Sequence, residues 1–105
     1  MATYELRTYH ATTGRLQDLL DRYKSTTVGM LPDFGIELIG HWFPQDEPDT
    51  FVYIVRHAGD PEDAWQRFVD DPRWTAAVQA TEQDGPLLRE LTSIVLTPTE
   101  LSPLR

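Results

Sequence analysis

Hydrophobic periodicity along this chain alternates between two and 3.6 residues in the order β-α-β-β-α-β, and few folds accommodate that order within 105 residues. Thr3–His10 alternates: Tyr4, Leu6, Thr8 and His10 share one side, Glu5, Arg7 and Tyr9 the other. Ala11-Thr12-Thr13-Gly14 is a short connection, with Thr12 or Thr13 as the expected N-cap. A helix is expected over 15–31, with Leu16, Leu19, Leu20, Tyr23, Thr27, Met30 and Leu31 as its buried stripe. Asp18, Asp21, Arg22 and Lys24 fall off that stripe as a solvated face, with Asp18 and Arg22 spaced to pair. Ser25–Gly29 is poor helix-forming sequence, so the last turns are expected to loosen.

Pro32 and Gly35 end this helix, and strands follow at 36–43 and 50–57, joined by the turn-rich Pro44–Asp49. The second of these, Thr-Phe-Val-Tyr-Ile-Val-Arg-His, is β-branched and aromatic with little alternation, as a central strand buried on both faces should be. Asp60-Pro61-Glu62-Asp63 is a helix start, with Asp60 as cap and Pro61 in the first turn. Asp71-Pro72 repeats the same chemistry and breaks the second helix in two. Asp84-Gly85-Pro86 ends it, 89–97 is the fourth strand, and 97–105 is an extended tail with Leu101 and Leu104 available as anchors.

Two interleaved β-α-β units give an α+β, ferredoxin-like fold: an antiparallel sheet of order 4-1-3-2 with both helices on one face. The expected domain is single, spanning 1–105. Strand phase assigns Glu5, Arg7, Tyr9, Ile39, His41, Val52, Ile54 and Arg56 to the opposite face. A charged face interleaved with aliphatic and aromatic residues is what two sheets closing on each other would need, so a homodimer is expected.

Composition removes several function classes. The formal charge of −8 repels phosphate backbones and anionic lipid, and no Lys/Arg cluster opposes it, so neither nucleic acid nor membrane is an expected partner. With no cysteine there is no disulfide, thiolate nucleophile or Cys-based zinc site. No apolar run is long enough to span a bilayer. A strand begins almost at the first residue, which leaves no room for a signal peptide, so a cytoplasmic protein is expected.

Tyr4-Glu5-Leu6-Arg7-Thr8-Tyr9, Gly14 before the first helix, and Gly35-Ile36-Glu37-Leu38-Ile39-Gly40-His41-Trp42 together resemble the NIPSNAP family. Asp71-Pro72-Arg73-Trp74, and a closing strand followed by Thr97-Pro98, extend the resemblance over essentially the whole chain. It implies a dimeric α/β barrel, the superfamily of small monooxygenases, polyketide cyclases and isomerising or decarboxylating enzymes. It implies no fixed catalytic set. Ligands of that superfamily usually occupy the cleft between sheet and helices.

On the expected strand phases that cleft receives Tyr4, Thr8, His10, Trp42, Tyr53 and His57 from the sheet. Tyr23, Trp65, Phe68 and Trp74 approach it from the helices. An aromatic lining with a few polar tips suits a flat apolar metabolite, although aromatics on amphipathic helices are more often plain core. His41, His10 and Tyr53 are the candidates for proton transfer, His41 because Glu37 is spaced to orient it. Tyr4 shares with Tyr53 a hydroxyl able to donate to a carbonyl. Arg7 and Arg56, on neighbouring strands, would hold an enolate or carboxylate, or pair structurally with Glu5 and Glu37. The three histidines have no ligand spacing, so no metal is expected. No cofactor motif is present; haem in the cleft would need His57 or His10 as axial ligand.

Two functions compete. One is a small-molecule-binding protein of bacterial specialised metabolism, acting without cofactor as an oxygenase, cyclase or isomerase on an aromatic or polyketide-like substrate. The other is a non-enzymatic dimerisation or adaptor module, which the absence of any triad, metal cluster or nucleotide loop favours.

Overall fold

The computed structural model describes residues 2–105. Its elements run β1 (Thr3–Ala11), α1 (Leu16–Arg22), a π turn (Tyr23–Thr27), α2 (Val28–Met30), a 3₁₀ turn (Leu31–Phe34), β2 (Ile36–Trp42), β3 (Thr50–His57), α3 (Pro61–Asp70), α4 (Pro72–Thr81) and β4 (Leu88–Leu96). The four strands form one antiparallel sheet in the order β2-β3-β1-β4. The element order and strand order agree with the sequence reading.

Local chemistry sets the boundaries. Asp60 accepts from the Asp63 N–H at 2.9 Å and Asp71 from the Arg73 N–H at 2.8 Å, each with proline in the first turn behind it. The backbone is extended at Asp71, so α3 and α4 are separate helices. Gly35 takes φ +72°, and its N–H closes the 3₁₀ turn onto the Pro32 carbonyl at 3.2 Å. The expected cap on the first helix is not made. Arg15 occupies that position without a side-chain capping bond, while the Thr12 hydroxyl donates to the Pro86 carbonyl at 2.7 Å, fastening the β1 exit to the β4 entry. Ser25-Thr26-Thr27 does loosen the helix: the segment 23–27 widens into a π turn.

All helices pack on one sheet face. Tyr9, Ala11, Ile36, Phe51, Tyr53 and Val55 meet Leu19, Tyr23, Met30, Leu31, Ala64 and Phe68 in a single core. Register then assigns the faces. Glu5, Arg7 and Tyr9 sit opposite Val55, Tyr53 and Phe51, and so point at the helices. This corrects the expected phase of β1, because Glu5, Arg7 and Tyr9 are under the helices while Tyr4, Thr8 and His10 are on the outer face. β3 is as expected, with Tyr53 and His57 inward and Val52, Ile54 and Arg56 outward. In β2 the register shifts between Leu38 and Gly40, so Ile39 is a bulge and His41 pairs with Tyr53 on the helix side. Had Ile39 paired in turn instead of bulging out, His41 would fall opposite Val52 on the outer face, where the sequence phase put it.

Two further expectations are corrected. Arg22 is buried, donating to Glu82 at 2.6 Å and lying over the Trp74 ring at 4.8 Å, so it is no solvated partner of Asp18, which pairs with Arg15 instead. Leu101 and Leu104 are exposed and anchor nothing; the tail is held by Arg56 Nε donating to the Arg105 carbonyl at 3.2 Å.

The result is a plate with Cα extents of 46 × 35 × 18 Å, one sheet under one helical layer. β4 is the thin edge: Leu91 and Val95 on one side, Ile94 and Leu96 on the other, are all exposed. Among the described residues no helix is long and apolar enough to cross a membrane.

Candidate functional site

Two polar constellations lie between sheet and helices. The inner one is centred on Glu5, which is 2% exposed. Its Oε1 accepts from His57 Nε2 and Trp65 Nε1, both at 2.7 Å, and its Oε2 from Arg7 Nη1 at 2.8 Å and from the Ser93 hydroxyl. The chain of bonds continues from Arg7 Nε to Tyr53 Oη at 2.7 Å and from there to Tyr9 Oη, again at 2.7 Å. The Arg7 guanidinium stacks 3.9 Å from the Trp65 ring centroid. Burial by itself would push the Glu5 carboxyl up. Donation from His57, Ser93, Trp65 and Arg7 outweighs it and brings the group down to about 2. Arg7 is held above its ordinary range: burial opposes this, but neighbouring tyrosine oxygens and Glu5 prevail. Buried Tyr53 is pushed well up by desolvation and by Tyr9, so its hydroxyl stays protonated. The Glu5 carboxylate is fully engaged inside the protein, while His57 Nδ1 is buried without a hydrogen-bond partner, and the arrangement reads as a structural clasp joining β1, β3, β4 and α3.

The outer constellation borders open space. A cavity of about 490 Å³ lies between the π turn and the β2–β3 edge, lined by Leu20, Tyr23, Lys24, Val28, Leu38, His41, Trp42, Phe43 and Phe51. That volume lies within the roughly 300–1,000 Å³ of small-molecule sites. Tyr23 is placed by α1 and the π turn, and His41 by the Ile39 bulge. Their side chains meet with Tyr23 Oη 3.3 Å from His41 Nδ1 and ring centroids 5.7 Å apart. Phe51 packs edge-on against Tyr23 at 4.8 Å and forms the floor with Tyr53 behind. Desolvation, with Tyr9 nearby, raises the Tyr23 hydroxyl above its ordinary value, so it remains a proton donor. Trp42 and Phe43 are more than half exposed at the mouth.

Of the residues the sequence proposed, the structure brings together Tyr23 and His41, with Tyr53 beneath them; Trp42 pairs with Val52 on the outer face, not in the cleft as expected, and borders the cavity only at its mouth. His57 and Trp65 belong to the Glu5 clasp. Trp74 packs between Phe68 and Arg22. Tyr4, Thr8 and His10 are on the far face of the sheet and cannot line the cleft. Arg56 is also on that face, 3.7 Å from Glu37, so Arg7 and Arg56 do not converge on one anion. Glu37, the expected orienter of His41, is spent on Arg56; Tyr23 takes its place. Sequence reasoning missed Lys24, Leu38 and Phe51 as lining residues. The one available signal was the helix-poor run after Lys24, since π turns are frequent at functional sites. Among the described residues no group of three or more His, Asp or Glu side chains is placed to hold a metal ion.

Comparison with known proteins fits this architecture. A NIPSNAP family protein from Agrobacterium tumefaciens has 22% identity and a TM-score of 0.81, with 100% of both chains covered. A NIPSNAP domain protein from Burkholderia xenovorans has 23% identity and a TM-score of 0.77, over 96% of this chain and 98% of that one. A candidate antibiotic biosynthesis monooxygenase from Caulobacter crescentus has 13% identity and a TM-score of 0.69, over 94% and 91%. At these identities the likeness is one of fold, the α+β fold of dimeric α/β barrel proteins. No curated protein matches the chain. The NIPSNAP family model matches residues 4–103, and the chain belongs to the NIPSNAP family.

Proposed function

We propose that this protein binds a flat, largely apolar metabolite in the cavity beneath Trp42 and catalyses proton transfer on it with Tyr23 and His41, working as a homodimer. The observation that carries this reading is the Tyr23–His41 pair at the wall of a largely apolar 490 Å³ cavity. In the tautomer with hydrogen on Nδ1, His41 donates to the Tyr23 oxygen. Its Nε2 is then free to take a proton, and the Tyr23 O–H is free to donate to a carbonyl oxygen. A base and an electrophile on one wall suit removal of a proton from carbon next to a carbonyl. That step is shared by isomerisation, cyclisation and cofactor-free oxygenation. The candidate monooxygenase of the same fold supports oxygenation as one outcome.

The test is thermal melting across a panel of planar aromatic and polyketide-like compounds. One compound class should raise the melting temperature by several degrees in the wild type. Leu38→Trp, which fills the cavity, should abolish the rise. A panel with no shift in the wild type contradicts the reading and returns the protein to an adaptor role. Once a substrate is in hand, His41→Ala and Tyr23→Phe should each lower turnover by about 10²-fold or more while the fold persists.

A further inference from the structure

Resting on that reading of the cavity, we infer that its ligand is an organic acid, an apolar ring system bearing a carboxylate whose charge is met by Lys24. Three observations meet here. The chain carries 17 Asp and Glu against nine Lys and Arg, yet no carboxylate lines this cavity. The single charged lining residue is Lys24, next to Tyr23 on the π turn. Arg7, Arg15, Arg22, Arg56, Arg67 and Arg73 each hold a carboxylate of this chain; among the described residues Lys24, Arg89 and Arg105 hold none, and of these three only Lys24 lines the cavity.

A cation without a partner at the rim of an apolar, acid-free cavity selects for one end of a ligand. The hydrocarbon body replaces water against Leu20, Val28, Leu38 and Phe51, and the carboxylate stays at the mouth where Lys24 reaches it. Lysine is suited to that place, because its flexible stem follows a charge at the rim while its head stays hydrated. It also resolves a conflict of charge. A net −8 repels anions at long range, but beyond about 10 Å that repulsion is screened at 0.1 M salt, so the local lysine decides what the mouth accepts.

The experiment is calorimetric titration of the full chain with 2-naphthoate, 2-naphthamide and 2-naphthylmethylamine, which carry one ring system and three charges. Wild type should bind naphthoate about five- to ten-fold more tightly than the amide, and the ammonium compound most weakly. Lys24→Gln should bind naphthoate and amide alike, and Lys24→Glu should prefer the ammonium compound. Lys24 is exposed, so both variants should fold. Raising salt should shrink the wild-type preference. Equal binding of acid and amide by wild type, or a preference that survives in Lys24→Gln, overturns this inference and leaves the cavity as a neutral-ligand site. Failure of all three compounds to bind overturns both the inference and the reading of the cavity.

Discussion

Glu5 is the residue on which most of the buried polar structure depends. A carboxylate under a helical layer is costly unless its lone pairs are filled, and here four side chains from three strands and a helix fill them. Removing its charge leaves Arg7, itself mostly buried, without its counterion. Glu5→Gln should destabilise the protein by about 3 kcal/mol, measured by urea unfolding at neutral pH. The same group sets an acid limb. Its folded-state value, about 2, lies below its ordinary 4.5, so its stabilisation is complete above pH 4.5 and is lost as pH falls towards 2. The urea midpoint of wild type should fall across that window, and Glu5→Gln should show a shallower fall; identical slopes would count against the clasp. Glu5 also shows where sequence stops being legible. Tyr4-Glu5-Leu6-Arg7 alternates equally well either way up, and apolar-inward reasoning chose the wrong side. Only the partners on β3, β4 and α3 make the charged side the buried one, and those partners are remote in the chain.

At the scale of elements, the helices were readable because their punctuation is local. Asp60-Pro61 and Asp71-Pro72 each carry a cap and a first-turn proline, and the break between α3 and α4 falls where they predict. β2 was only half readable. Its ends follow from Gly35 and Pro44, but the bulge at Ile39 is a matter of register with β3, and a one-residue slip reverses every later side chain. The candidate site depends on that bulge, since it swings His41 to Tyr23. Deleting Ile39 takes out the residue the bulge absorbs. It should remove the bulge yet leave Gly40 opposite Ile54 and His41 opposite Tyr53, so the strand still pairs, His41 keeps its face and ligand binding persists. Circular dichroism with a binding titration checks both halves; lost binding in a folded variant would show that His41 does not keep its face through this register. Gly40, one position on, leaves room for the Trp42 ring, which an added Cβ would meet at 2.9 Å. Because the obstacle is a ring edge at an exposed position, Gly40→Ala should cost less than about 1 kcal/mol and show mainly as a shift in tryptophan emission.

The whole molecule is a thin plate, one sheet under one helical layer. Its outer sheet face carries Leu6, Ile54, Ile94 and Leu96, and β4 has no helical cover on its other side. Exposed apolar area of that kind on a small protein marks an interface, and the homodimer proposed above would cover it sheet against sheet. Ile94→Asp should give a folded monomer by light scattering where wild type gives a dimer; a dimer in both would place the interface elsewhere. The order of strands was legible from the element pattern, whereas the charged residues that suggested a covered outer face, Glu5 and Arg7, lie under the helices. The cavity was not, because Leu20, Lys24, Leu38 and Phe51 come from four elements and none looks functional alone. Native mass spectrometry of freshly purified, untagged protein tests the account most directly. It predicts a dimer that retains a reproducible small-molecule adduct in wild type and loses it in Leu38→Trp. A monomer, or a dimer whose adduct is unchanged when the cavity is filled, would contradict it.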